Sequence, residues 1–313
     1  MTMTRPGLLQ LGKLSPWLES QLEQDFAVCR HFELDDPDGW VAAHGASIGA
    51  VATGGNIGIP SDLMLRLPNL GVVAVNGVGV DKVDLNLARD RGVSVTTTRG
   101  ILSEDVADLA VVLTIDVLRN ITGADAYVRA GKWPGGEWPL ARTVTGRTFG
   151  IVGLGEIGLA LAARLSPFGK VLYTGPREKP VSYDYVPDLV ELARVCDVLL
   201  LTCSATPANA GMIDRAVLEA LGPSGYLVNV ARGSLVDEPV LIEMLRSGGI
   251  AGAGLDVFRN EPHAPGELFD LPNVVLTPHV ASATVETRQR MAESVIASLR
   301  EWLADAPLAN AVV

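Results

Sequence analysis

The chain has 313 residues, enough for two domains of roughly 100–200 residues rather than one core. At 48% hydrophobic and 19% charged it reads as globular and not disordered, and 33 glycines against 5% aromatics suit a parallel α/β architecture. A net charge of −11 argues against nucleic acid as a partner, so an anionic substrate has to be met by local cations.

The short apolar runs Ala27–Phe32, Ser47–Thr53, Val72–Val75 and Val93–Thr97 read as strands. Ser15-Pro16 opens a helix with an N-cap and a proline at the first position, and Pro60-Ser61 and Asp81–Asp84 precede further helical segments. A long helix is expected from about Ser103 to Leu118. Glu104 and Asp105 suit its positive end, and Val106, Leu109, Ala110, Leu113 and Val117 recur at helical spacing. Gly131 to Pro139, which holds Trp133 and Trp138, is a loop.

From Thr148 onward strand and helix alternate, with strands expected at 149–152, 170–173, 197–201, 226–230, 251–255 and 274–276. Six parallel strands are the count of a full dinucleotide fold. A last helix is expected from about Val285 to Leu303. Met1 to Leu14 lacks the apolar core of a signal peptide, and Leu109–Ile115 and Val198–Leu201 are far too short to span a membrane. Cys29, Cys196 and Cys203 show no metal or redox spacing, which predicts thiols in a reducing, cytoplasmic setting.

Phe149-Gly150-Ile151-Val152 leads into Gly153-Leu154-Gly155-Glu156-Ile157-Gly158 and then a helical run. In this strand-to-helix context the glycines serve a tight turn, a close backbone approach to a pyrophosphate, and helix–strand packing. A glycine-rich turn without a ligand is the alternative. At the end of the second strand, Tyr173-Thr174-Gly175-Pro176-Arg177-Glu178-Lys179 places no acid where one would hold a ribose 2′-hydroxyl. Arg177 is instead placed for a 2′-phosphate, which favours NADP over NAD; the alternative leaves Arg177 and Lys179 as solvated loop charges.

Three further segments end predicted strands: Asn229-Val230-Ala231-Arg232-Gly233-Ser234-Leu235-Val236-Asp237, Gly254-Leu255-Asp256-Val257-Phe258 with Glu261-Pro262, and Thr277-Pro278-His279-Val280-Ala281-Ser282. Together with the glycine loop, their order and spacing resemble the D-isomer-specific 2-hydroxyacid dehydrogenases over nearly the whole chain. Leu172 to Gly175 and the tryptophan loop look most like the NADPH-dependent glyoxylate/hydroxypyruvate reductases. The resemblance implies two doubly wound domains. These are a smaller flavodoxin-like substrate domain from 1–98 plus 285–313 and a Rossmann dinucleotide-binding domain from 99–284, with a cleft between them.

It also implies reduction of a small 2-oxo acid to the 2-hydroxy acid. His279 would donate the proton, because imidazole titrates near working pH. Glu261 would hold its other nitrogen, and Arg232 would grip the substrate carboxylate in a planar fork. Asp256 would contact the nicotinamide carboxamide or position the catalytic set. The candidate cofactor surface comprises Gly153, Leu154, Gly155, Glu156, Ile157 and Gly158, then Thr174, Gly175 and Arg177. Cys203, Ser204, Pro207, Val230, Ala231, Asp256, Ala281 and Ser282 complete it.

In the first domain, Asn76-Gly77-Val78-Gly79-Val80-Asp81 resembles the family loop whose amides, here of Val78 and Gly79, bind the substrate carboxylate. Ile57, in Asn56-Ile57-Gly58, would lie near the substrate's side group. In similar reductases a loop tryptophan reaches the partner subunit's pocket, here Trp138 with Trp133 second, and implies a homodimer. The alternatives are a phosphoglycerate or D-lactate type dehydrogenase, or a dinucleotide-sensing protein similar to transcriptional corepressors.

Overall fold

The computed structural model describes residues 5–313; residues 1–4, which open the first expected domain and the N-terminal stretch read for a signal peptide, lie outside them. The chain divides into two compact units. The first runs up to Leu102 and resumes over Ala283–Val313, and the second is Ser103–Ser282.

The first unit begins with β1 (Gly7–Gln10), α1 (Pro16–Asp25), β2 (Ala27–Arg30), α2 (Pro37–His44) and β3 (Ile48–Gly54). It continues with α3 (Ser61–Leu65), β4 (Val72–Asn76), α4 (Leu85–Asp90) and β5 (Ser94–Thr96). All pairings are parallel and the order is β2-β1-β3-β4-β5, the flavodoxin-like arrangement. The caps form as the residue types dictate: Ser15 Oγ accepts from Leu18 N at 3.3 Å, and Asp84 Oδ1 accepts from Asn86 N and Leu87 N.

Two findings differ from the sequence reading. β1 is an unforeseen strand at the centre of the sheet. Gly-Leu-Leu-Gln has no β-branched residue, and its Leu8 and Leu9 are both fully buried on opposite faces, so no apolar–polar alternation marks it. The expected strand Ala27–Phe32 ends at Arg30, because His31–Glu33 turns into a 3₁₀ helix.

The second unit contains α5 (Ser103–Arg119), α6 (Ile121–Arg129), β6 (Thr148–Val152), α7 (Glu156–Leu165), β7 (Lys170–Thr174) and β8 (Asp184–Tyr185). After these come α8 (Leu189–Val195), β9 (Val198–Leu201), α9 (Arg215–Leu221), β10 (Tyr226–Asn229), α10 (Glu238–Ser247), β11 (Gly252–Leu255) and β12 (Val274–Leu276). The parallel sheet has the order β12-β11-β10-β9-β6-β7-β8, so the chain reverses direction between β6 and β9 as in a Rossmann sheet. The seventh strand, β8, is a two-residue polar edge that pattern reading has no means to see. Helices α8, α9 and α10 bury one face through Leu192, Val217, Leu218, Leu241 and Leu245. Helix α5 packs on the other face, where bare Gly254 lets Leu113 approach β11.

The chain then returns to the first unit as α11 (Val285–Leu303), which lays Ala292, Val295, Ile296 and Leu299 on the face formed by Leu8, Ala50, Ala52, Val72 and Ala74. Cys29, Cys196 and Cys203 are free; burial, chiefly, pushes the Cys196 thiol up to about 12 and the Cys203 thiol up to about 11. Among the described residues no helix is long and apolar enough to cross a membrane.

Candidate active site

A parallel sheet gathers the loops that follow its strands at one edge, and the point of reversal leaves a crevice there. In the second unit this point lies between β6 and β9, where the glycine loop stands. Gly153 has φ +95°, a conformation that side chains other than glycine's rarely adopt, and a Cβ on it would lie 2.5 Å from Cys203 Cβ. Gly158 packs against the Gly153 carbonyl, 2.3 Å from its would-be Cβ, and Thr202 Oγ1 donates to that same carbonyl at 2.7 Å. Gly155, the N-cap of α7, has nothing within 4 Å of its would-be Cβ. The turn is thus closed on its protein side and open over the N-terminus of a ten-residue helix, a cradle that fits a dinucleotide diphosphate.

Residues flanking this loop divide by exposure. Leu154, Val230, Ala231 and Ala281 are buried; Ile157, Gly175, Cys203 and Ser282 are half-buried; Glu156, Arg177, Ser204 and Pro207 are exposed. The Thr174 hydroxyl donates to the Pro187 carbonyl at 3.2 Å. Lys179, which the sequence reading set aside as loop charge, receives a stronger placement. Its amide donates to Tyr173 Oη at 2.7 Å and its ammonium donates to the Leu154 carbonyl, so a cation is tied to the glycine loop beside Arg177.

The polar constellation lies at the ends of β10, β11 and β12. Asn229, buried at the end of β10, accepts from Ala231 N at 3.0 Å and donates to the Arg232 carbonyl at 2.9 Å, bracketing the turn that carries Arg232. Bare Gly233 lies directly against the Phe258–Arg259 backbone, with its would-be Cβ 2.0 Å from Phe258 C. This close approach brings the Arg232 turn against the segment leading to Glu261.

Glu261 Oε1 accepts from Phe258 N at 3.1 Å, and Oε2 lies 2.6 Å from His279 Nδ1. Burial alone would raise this carboxyl. The His279 hydrogen bond, the Phe258 amide and the charges of His279 and Arg232 outweigh burial and hold it below its ordinary value. An ionised carboxylate only accepts, so the proton of the contact sits on Nδ1 and leaves Nε2 for other work.

His279 itself has φ +52°, held by its amide donating to the Asp256 carbonyl at 2.8 Å. Asp256 is fully buried; Thr277 Oγ1 donates to its Oδ1 at 2.7 Å, Val280 N to Oδ1 at 2.9 Å and Ala281 N to Oδ2 at 3.0 Å. Burial pushes its carboxyl up against those hydrogen bonds and the His279 charge. Neither Asn229 nor Thr277 had been singled out from sequence. The available signal was a polar residue ending a buried strand, a position that has to spend its hydrogen bonds on the neighbouring turn.

In the first unit the reversal lies between β1 and β3. Gly55 and Gly77 pack backbone to backbone, a Cβ on Gly77 falling 3.2 Å from Gly55 Cα, so the Ile57 loop and the Val78–Gly79 loop stand together. The Trp138 ring lies 5.2 Å from the Tyr127 ring of α6, and Leu140 beyond it is fully exposed.

The chain belongs to the D-isomer specific 2-hydroxyacid dehydrogenases: residues 111–281 match that family's NAD binding domain. It is an oxidoreductase of the NAD(P)-dependent 2-hydroxyacid dehydrogenase class. It is 45% identical to the 2-ketogluconate reductase of Gluconobacter oxydans over 99% of both chains. It is 42% identical to glyoxylate/hydroxypyruvate reductase A of Arabidopsis thaliana over 98% of this chain and 99% of the relative. The NADPH-dependent glyoxylate/hydroxypyruvate reductase of Sinorhizobium meliloti, solved with NADP and malonate, superposes with a TM-score of 0.92 at 38% identity, covering 99% and 97% of the two chains.

Proposed function

We propose that this enzyme reduces a small 2-oxo acid of the glyoxylate or hydroxypyruvate type, with NADPH preferred over NADH and Arg232, Glu261 and His279 as its catalytic set. The observation that carries the reading is the 2.6 Å Glu261–His279 contact at the strand edge that also presents Arg232 and the open glycine loop. A reduced nicotinamide, bound through Gly153 to Gly158, supplies the hydride that adds to the carbonyl carbon. His279 Nε2 delivers the proton to the carbonyl oxygen, while Glu261 holds Nδ1–H and stabilises the imidazolium before transfer. Arg232 pairs with the substrate carboxylate and polarises the carbonyl. Asp256, its oxygens turned to Thr277, Val280 and Ala281, serves as a positioning residue for the His279 turn.

The NADP preference draws support from Arg177 and Lys179 and from the absence of an acid after Tyr173. The amides of Val78 and Gly79 bind the substrate carboxylate, and Ile57 borders its side group. A homodimer is part of this reading. Leu140 and Trp133, exposed on the loop after α6, offer apolar surface to a second copy, with Trp138 reaching the partner's pocket.

Steady-state rates with glyoxylate, hydroxypyruvate and 2-ketogluconate against both cofactors test the reading. Turnover of at least one acid with a lower KM for NADPH is expected. Cofactor binding without turnover of any 2-oxo acid would reject it.

A further inference from the structure

The switch point of the first unit holds a contact that none of the roles above uses. Gly12, in the loop after β1, is buried, and the only atoms within 4 Å of its would-be Cβ belong to Ile57: Cδ1 at 2.1 Å and Cγ1 at 3.6 Å. Ile57 therefore lies flat on a bare backbone. Its own backbone is pinned, since the Ile57 and Gly58 amides both donate to the Gly54 carbonyl, at 3.0 and 2.9 Å. Its side chain is 40% exposed, so the only direction open to it is outward.

The floor under it is built rather than loose. Gln10, fully buried, donates through Nε2 to the Gly12 carbonyl at 2.8 Å and to Glu19 Oε1 at 2.7 Å. Glu19 Oε1 also accepts from Leu14 N at 3.1 Å. A buried amide and a helix carboxylate thus fix the level of Gly12, and with it the level at which Ile57 rests.

We infer that Gly12 is a specificity-determining residue: by letting Ile57 lie down, it sets the depth of the subsite for the substrate's carbon chain beyond C2. The inference rests on the reading of Ile57 as the border of the substrate's side group. It commits to a class, 2-oxo acids bearing a side group, as against glyoxylate, which has only hydrogen there. A methyl group at position 12 meets nothing but the far end of a flexible side chain, so the fold tolerates it and Ile57 rises into the subsite.

The test compares kcat/KM for hydroxypyruvate and 2-ketogluconate with that for glyoxylate in Gly12→Ala, Ile57→Ala and the double variant. Gly12→Ala is expected to lower both ratios about tenfold, the scale of one misplaced methyl group in a pocket. The double variant is expected to restore them, and Ile57→Ala alone to raise the 2-ketogluconate ratio severalfold. Ratios within twofold of the native enzyme in Gly12→Ala, or a loss that the double variant does not repair, overturn the inference. Should Gly12→Ala not fold, an unmoved ratio in Ile57→Ala overturns it equally. A native enzyme inactive on every 2-oxo acid would sink the functional reading instead, which keeps the two failures apart.

Discussion

Glu261 Oε2 lies 2.6 Å from His279 Nδ1, and the two residues arrive there from the ends of different strands, β11 and β12. Neither is placed by its immediate neighbours alone. Glu261 is held through the Phe258 amide, and His279 through a left-handed turn fastened to Asp256. The pair is therefore a product of the whole sheet edge, and its chemistry is that of an acceptor carboxylate fixing the ring for proton delivery from Nε2.

Replacing Glu261 by Gln keeps an acceptor near Nδ1 and removes the charge that favours the imidazolium. The expected result is a fall in kcat of about 100-fold, the low end of what a positioned general acid contributes. Stability carries a second signature. The folded carboxyl of Glu261 lies below its ordinary value, so its contribution is present above the unfolded value of about 4.3 and is lost as pH falls through the folded value. Thermal unfolding between pH 6 and 3 should show that loss in the native enzyme and a shallower one in Glu261→Gln.

Arg232 stands on a turn bracketed by Asn229 and packed through Gly233, so its guanidinium is presented from a rigid base. Arg232→Lys retains the charge and loses the planar fork. With hydrogen bonds to a charged group worth about 1.5–3 kcal/mol, kcat/KM for glyoxylate should fall on the order of 10–100-fold, mostly in KM. An unchanged KM would remove Arg232 from carboxylate binding.

Much of this was legible in the chain itself, and the parts that were not share a cause. The glycine loop and the three strand-end segments announce themselves because each needs particular residues in a fixed local order, and α11 announces itself by helical spacing. β1 was silent because burial on both faces removes the alternation that marks a strand. Lys179 was read as solvent charge because its partner, the Leu154 carbonyl, is 25 residues away. The contact between Gly12 and Ile57 was hidden for the same reason, since a bare glycine carries no trace of what lies on it.

Asp256 supplies a sharper test of positioning than any group expected to touch substrate. Its two oxygens accept from Thr277, Val280 and Ala281, and an asparagine would turn an NH2 toward donors at one of them. Asp256→Asn should destabilise the protein by about 1–3 kcal/mol, read as a lower unfolding temperature. kcat should fall while the KM for NADPH stays within a few-fold of native. Because burial raises the folded Asp256 carboxyl, its cost is present at neutral pH and is relieved as pH falls through that raised value, opposite in sign to Glu261. A variant with native kcat would show that the His279 turn holds without it.

The two later glycines of the loop should respond to the same small change in different ways. At Gly158 an added methyl meets the Gly153 carbonyl at 2.3 Å, a backbone atom that cannot step aside, so Gly158→Ala should cost about 1–3 kcal/mol of stability and weaken cofactor binding with it. At Gly155 the methyl meets nothing within 4 Å, so Gly155→Ala should unfold at the native temperature. Yet that open space is where the diphosphate must approach the backbone, and the dissociation constant for NADPH, followed by fluorescence titration, should rise at least about tenfold, the equivalent of 1.4 kcal/mol. Native affinity in Gly155→Ala would mean that the diphosphate rests elsewhere. Loss of stability without loss of affinity in Gly158→Ala would mean that the loop positions nothing. The pair of variants thus separates what the loop does for the fold from what it does for the cofactor.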